Sequence, residues 1–133
     1  MAGELTLEVV TPSRKVLSEA CEEVSVPTAL GEIGILPDHA ALLSAGAAGI
    51  LQYRASGQRR ALVVRGGFVR VFENRVTVLA DEAVLPAQIE KTKVETARMA
   101  LEQKLLDPAV NVEEREELFR ERDWLEAQLA VVT

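Results

Sequence analysis

From Leu5 to Leu79 the apolar side chains alternate one by one with polar ones, and beyond Asp81 they recur every three or four positions instead. A period of two is what a strand with one buried face requires; a step of three or four belongs to an amphipathic helix. This change of period admits few architectures, because a β structure must come first and a helical appendage after it.

Within the first part, Leu5, Leu7 and Val9 alternate with Thr6, Glu8 and Val10 until Thr11-Pro12-Ser13 ends the run. Val16-Leu17 and Val24-Ser25-Val26 predict two more short strands, separated by Glu22-Glu23, with Pro27 expected to stop the second. Ile50-Leu51-Gln52-Tyr53 and Ala61-Leu62-Val63-Val64 face each other across Ala55-Ser56-Gly57-Gln58, whose glycine supplies the positive φ of a hairpin turn. Short strands at close intervals with turn signals between them indicate an antiparallel sandwich or barrel, ending near Leu79.

In the second part Val94, Ala97, Leu101 and Leu105 form a narrow stripe on a charged helix, which Asp107-Pro108 must stop because proline lacks an N–H and disfavours helix in the residue before it. Asn111 with Glu114 three positions on reads as an N-cap and capping-box pair. The helix that follows carries Leu118, Leu125, Leu129 and Val132 on one side. Two such helices joined by a short loop form an antiparallel hairpin. The boundary falls at Val84-Leu85-Pro86, giving residues 1–84 to the β part and 85–133 to the hairpin. Stripes this narrow bury little apolar area, at ~25 cal/mol per Å², so the hairpin is expected to dock weakly and to be able to open.

The 133 residues suffice for a small domain with an appendage, and 48% hydrophobic with 27% charged residues is a globular balance. At 4% aromatic the core must be built from Val, Leu, Ile and Ala. A net charge of -6 and a pI near 4.9 argue against nucleic acid or anionic lipid as partners. The single Cys21 cannot form an internal disulfide and reads as a small buried hydrophobe. No basic and apolar leader opens the chain, so no signal peptide is expected. The longest weakly polar stretch, Ala40 to Leu51, falls short of the ~20 residues a membrane helix needs, so any membrane association is expected to come through a partner.

Catalytic constellations are absent from the sequence. The lone His39 has no second His or Cys for a metal site, Gly66-Gly67 is not followed by the Lys-Ser/Thr of a phosphate loop, and no G-x-S-x-G elbow is present. No catalytic residue, metal or cofactor is assigned. His39 reads either as a turn histidine bonded to backbone or as a contact residue. Arg115, Arg120 and Arg122 read either as a contact for an acidic partner or as i,i+4 partners of Glu116, Glu117 and Glu126. Trp124 is an interface anchor or a packing residue, and Met99 is expected to fill space inside the hairpin.

Two blocks carry a family likeness. Gly31-Glu32-Ile33-Gly34-Ile35-Leu36-Pro37-Asp38-His39-Ala40 and Gly66-Gly67-Phe68-Val69-Arg70-Val71, continued by Asn74-Arg75-Val76-Thr77-Val78-Leu79-Ala80, resemble in order and spacing the epsilon subunit of the rotary F-type ATP synthase. The likeness extends through the helical tail and departs at Ala41, where the family commonly has proline. It implies a β-sandwich of about ten strands followed by a helical hairpin, in a non-catalytic part of the central rotor. The sandwich would bind the gamma subunit and the membrane c-ring, coupling ring rotation to the catalytic beta (and alpha) subunits, and the hairpin would brake ATP hydrolysis. Glu32 and His39 become c-ring contact candidates, and Arg115, Arg120 and Arg122 catalytic-head candidates. The implied place is peripheral, on the cytoplasmic face of a bacterial inner membrane or the stromal face of a thylakoid. Some members bind ATP through Ile or Leu, Asp, two variable positions, Arg and Ala. This chain has Ile89, Glu90, Lys93 and Val94 there, which keeps only the hydrophobe and predicts weak ATP binding or none. The alternative is a free-standing adaptor that presents the hairpin to some other complex; an enzyme is a more distant one.

Overall fold

The computed structural model describes residues 4–133. Ten strands come first: β1 Leu5–Val10, β2 Lys15–Cys21, β3 Glu23–Thr28, β4 Gly31–Ile35, β5 Leu42–Ala45, β6 Gly49–Ala55, β7 Gln58–Arg65, β8 Phe68–Phe72, β9 Arg75–Leu79 and β10 Glu82–Val84. A 3-10 turn at Pro86–Gln88 leads into helices α1 Lys91–Leu105 and α2 Val112–Val132. The strands form two five-stranded sheets in the orders β2-β1-β9-β8-β5 and β10-β7-β6-β3-β4. The first is called sheet A below and the second sheet B. All pairings are antiparallel except β1 with β9, which run parallel with Leu7 opposite Val76 and Val9 opposite Val78.

The inner faces follow from the alternation. Leu5, Leu7, Val9, Val69, Val71, Val76 and Val78 of sheet A meet Val24, Val26, Leu51, Tyr53 and Leu62 of sheet B in one buried cluster. Tyr53 is the aromatic member, and its hydroxyl donates to Glu19 at 2.8 Å. Two hairpins turn through consecutive positive φ values, at Ser56-Gly57 and at Glu73-Asn74, the type I′ geometry that suits strand twist. Between β7 and β8 the chain turns through Gly66 and Gly67, both with φ near +70°. A Cβ on Gly67 would stand 1.6 Å from the carbonyl oxygen of Leu79, so the close approach requires glycine.

Pro27 does not stop β3; it lies inside it, opposite Glu32 of β4. β6 pairs with β3 only over Glu23–Ser25; at Pro27 the ladder has given way to an irregular stretch in which the Pro27 carbonyl accepts from the Ala47 amide at 3.3 Å, so the missing N–H breaks no ladder bond. The β part also runs past Leu79, since β10 adds to the edge of sheet B by pairing Glu82, Ala83 and Val84 with Arg65, Val64 and Val63.

The helices pack against each other, and α2 lies on the outer face of sheet B over β6 and β7. A second cluster joins Val63, on that outer face, to Val94, Leu101, Trp124 and Leu125 of the hairpin. The α1 stripe differs from expectation at one position: Ala97 is exposed and Arg98 takes its place beside Val94, Leu101 and Leu105. The steps 94, 98, 101, 105 suit the helical period better, and the arginine stem lies on apolar surface deeply enough to bury its Nε without a hydrogen-bond partner. Met99 is exposed rather than filling the hairpin. The helix ends agree with the sequence. α1 stops at Leu105 just before Asp107-Pro108, and Asn111 caps α2 by accepting from the Glu114 amide at 2.8 Å.

Candidate functional site

The candidate sites among the described residues are surfaces. The first is the turn between β4 and β5. Pro37 and Asp38 occupy its centre, with the His39 amide donating to the Leu36 carbonyl at 3.1 Å and Asp38 at φ 68°, a type II turn with the carboxylate in the position glycine usually fills. The side chain of Asn74, from the neighbouring β8–β9 turn, accepts from the Asp38 amide at 2.6 Å and donates to the Asp38 carboxylate at 3.4 Å. The two turns are thereby tied together. His39 is half-buried, its Nδ1 2.7 Å from the Ala40 carbonyl, so backbone bonding and a surface position coexist.

Glu32 is placed differently from what its neighbourhood in sequence implied. It is the second residue of strand β4, exposed on the outer face of sheet B, where it accepts from the Ser25 hydroxyl and borders the groove beside α2. His39 follows the other end of β4. The turn returns His39 to the level of Leu36, so at ~3.3 Å per residue the two candidates stand roughly 13 Å apart along the strand direction.

The second surface is the outer face of sheet A, which no helix covers. Register aligns Ala45 with Phe68, Phe68 with Leu79 and Leu79 with Val10, one apolar row across β5, β8, β9 and β1. Leu43 and Phe72 flank it, and Arg70 lies over the Phe72 ring at 5.5 Å. Leu43, Phe68, Phe72 and Leu79 are each about half exposed or more. Sequence reading treated these side chains only as members of an alternating pattern. The signal that could have found them is the apolar residue at strand positions that alternation assigns to solvent.

The hairpin and its junction form the third. Trp124 is buried against the sandwich, which decides for packing in this docked state. Arg65, at the end of β7, places its guanidinium 4.8 Å from the Trp124 ring centre and binds both Glu82 of β10 and Glu121 of α2. Burial works against its charge, but the bonds to the two carboxylates outweigh it and raise the Arg65 pKa.

The arginines at 115, 120 and 122 do not act as one cluster. Arg115 donates to the Leu105 carbonyl at 2.8 Å, closing the C-terminus of α1 where unpaired carbonyls and the helix dipole favour a cation. Arg122 stacks on Phe119 at 4.8 Å and reaches Glu102 of α1 at 3.7 Å, with Glu126 at 3.9 Å as its i,i+4 neighbour. Arg120 is exposed. Of the expected pairings with Glu116, Glu117 and Glu126, the structure forms only the last.

Two of the four positions of the nucleotide motif are packed and two are exposed. Ile89 and Val94 belong to the cluster beneath the hairpin, and Glu90 pairs with Lys93 at 3.0 Å. No helix among the described residues is long and apolar enough to cross a membrane.

Taken as a class, this is a β-sandwich that offers binding faces and carries a docked helical hairpin. The family profile for the ATP synthase delta/epsilon chain β-sandwich domain matches residues 4–86. The ATP synthase epsilon chain of Solibacter usitatus is 40% identical over 118 residues, covering 89% of this chain and 88% of that one. That of Herpetosiphon aurantiacus is 43% identical over 103 residues, 77% of this chain and 76% of the other. Among solved structures, a chain of the Euglena gracilis mitochondrial ATP synthase aligns with a TM-score of 0.84 at 23% identity, covering 98% of this chain and 82% of its own. A chain of the Tetrahymena thermophila mitochondrial ATP synthase central stalk aligns at 0.66 and 13% identity, covering 98% of each. The two structural likenesses show the same fold. The chain belongs to the ATP synthase epsilon chain family. It is thus a non-catalytic subunit of an F-type ATP synthase, and the free-standing adaptor is set aside.

Proposed function

We propose that this chain is a rotor element in which each sandwich surface has its own partner. The gamma subunit takes the bare outer face of sheet A. The observation that carries this is the apolar row Ala45, Phe68, Leu79 and Val10 with Leu43 and Phe72 beside it, a continuous strip across four strands in a chain whose other sheet is covered by its own helix. Such a face, rimmed by Arg70 and Arg75, has the composition of an interface centre with a polar border. The membrane c-ring meets the β4–β5 turn and its strand. Glu32 and His39, about 13 Å apart along the strand, fit one broad partner with repeated polar loops better than a small ligand. Membrane attachment is then indirect, on the cytoplasmic face of a bacterial membrane or its plastid equivalent.

The hairpin is the regulatory part. It is held to sheet B by a cluster whose only fully buried sandwich member is Val63. So thin a contact favours exchange between a docked state and one in which the helices reach the catalytic beta and alpha subunits and slow ATP hydrolysis. Arg120, exposed in the docked state, remains available to an acidic surface there, whereas Arg115 and Arg122 must first give up contacts within the hairpin. Nucleotide does not hold the docked state, because Ile89 and Val94 are used in packing and the exposed Glu90 and Lys93 offer no bidentate fork for a phosphate.

The experiment is binding to purified gamma by Phe68→Glu and Leu79→Glu variants. Both residues point outward, so the sandwich should fold while gamma binding falls at least ~100-fold, as expected when a charge enters the centre of an interface. Unchanged gamma affinity in folded variants would refute the assignment of sheet A. His39→Ala should leave gamma binding intact and weaken retention of the c-ring.

A further inference from the structure

One ion pair crosses from sandwich to hairpin among the described residues. Arg65 Nη1 donates to Glu121 Oε2 at 2.5 Å, while its Nε and Nη2 lie 2.9 and 2.7 Å from Glu82 Oε2. The two carboxylates differ in where they live. Glu82 is the register partner of Arg65 on β10 and stays beside it whatever the helices do. Glu121 belongs to α2 and departs with the hairpin.

We propose that Arg65 is a two-partner switch for the hairpin, shared by Glu82 and Glu121 in the docked state and held by Glu82 alone when the hairpin lifts, so that competition between these two carboxylates sets the docked fraction. The proposal rests on the reading that the hairpin leaves the sandwich. A half-buried guanidinium abandoned by its only partner would be costly, which would make an ordinary latch hard to release. Here that penalty is removed in advance, because Glu82 already occupies two of the guanidinium nitrogens and keeps the charge compensated in the open state. Glu121, already partly solvated at 43% exposure, enters water at little cost. The Arg65 face over Trp124 adds a cation–π contact made only when docked. The local surroundings sharpen the dependence on Arg65. Asp81 and Asp123 border the adjacent groove together with Arg120, and Glu32, Asp123 and Glu126 border the groove along the other stretch of α2, where acids face acids across the junction.

Opposite signs from two neutralisations are the distinguishing consequence. Glu121→Gln removes the charge that holds the hairpin and should raise the open fraction about five-fold, the scale of one partly exposed charge-assisted pair. Glu82→Gln removes the competitor and leaves Arg65 uncompensated in the open state, so the open fraction should fall about three-fold by the same reasoning. A purely structural role for the trio would loosen the molecule in both variants.

The test uses the full chain. Trp124 is its only tryptophan and is 8% exposed when docked, so acrylamide quenching of its fluorescence reports opening directly, with amide hydrogen exchange across Leu118–Leu129 as a second readout. Increased quenching and exchange in Glu121→Gln with decreases in Glu82→Gln support the switch. Shifts in the same direction, or none, in a wild-type protein that does open would overturn it while leaving the moving hairpin intact. A wild-type Trp124 exposed only on global unfolding would end the moving-hairpin reading and the switch together.

Discussion

Replacing Trp124 by alanine should release the hairpin and leave the sandwich standing. The ring is buried at the junction with Val63 and belongs to the second apolar cluster, not to the one between the sheets. A buried tryptophan hides about 200 Å², which at ~25 cal/mol per Å² is about 5 kcal/mol. Alanine keeps part of that, and an undocked hairpin still folds some apolar surface on itself, so about 3 kcal/mol is the net expected loss. Charged entirely to docking, that loss shifts the equilibrium about 150-fold toward the open state. Native-state hydrogen exchange read by mass spectrometry would then show α2 amides losing protection while those of β7 and β9 keep theirs. Calorimetry would show the main transition almost unmoved. If instead the same 3 kcal/mol were lost globally, the melting temperature would drop by about 10 °C, and helix and strand amides would lose protection together. That outcome would refute the division into a stable sandwich and a releasable hairpin.

A chain ended at Val84 should unfold in one cooperative urea transition, since every fully buried member of the cluster between the sheets lies within the strands and the Asp81 corner, and Leu85 alone beyond β10 packs against it; a species without cooperative unfolding would count against the domain boundary. Gly67→Ala should be lost to misfolding or melt more than about 10 °C lower, because its Cβ would meet the Leu79 carbonyl at a φ of +73°, a strain of about 3 kcal/mol or more. In alkaline solution, burial and then the bond to Glu19 raise the Tyr53 pKa to about 12, and burial with nearby carboxylates raises Cys21 to about 11. Both folded values exceed the unfolded ones, so this stability is complete below pH 9 and declines as pH rises toward 12; Tyr53→Phe should flatten the slope between pH 10 and 12, by up to about 2 kcal/mol. Titration calorimetry with Mg-ATP should give a dissociation constant in the millimolar range or weaker, and a much tighter value that is lost in Glu90→Gln or Lys93→Ala would return the junction to nucleotide control.

How far the sequence was readable depends on how local each cause is. The strands were legible because a sandwich strand buries one face, and Leu5, Leu7 and Val9 express that directly. Turns at Ser56-Gly57 and Glu73-Asn74 carry their own chemistry, as does the Asn111 cap. Pro27 misled because proline as a terminator and proline in a strand whose ladder has given way on one side are the same residue, and only the limited pairing of β6 separates them. Ala97 was favoured over Arg98 by side-chain type, although the helical step points to 98. The arginines of α2 were read against neighbours on their own helix, while Arg115 and Arg122 find partners on α1. Arg65 had no local signal at all, its carboxylates lying 17 and 56 positions away. One clue to hairpin docking was present and passed over. Leu62, Val63 and Val64 are three apolar residues in succession, and a strand that breaks alternation in this way is buried on both faces.

That break also orders the events when the hairpin leaves. Val63 is fully buried although it points away from the sandwich interior, so undocking exposes it together with Val84 and the hairpin's Leu125 and Trp124. The open state therefore needs another apolar surface to cover these groups, and a subunit spinning free in water would not stay open. Ile89 and Val94 belong to the same cluster, while Glu90 and Lys93 pair with each other on the exposed side of the helix start. Under the proposed reading, control of the hairpin lies with the partners that can replace sheet B as its cover. A helical hairpin with narrow apolar stripes is satisfied either by Val63 and its neighbours or by a comparable groove between larger subunits, and the choice is sensitive to any rotation that brings such a groove within reach.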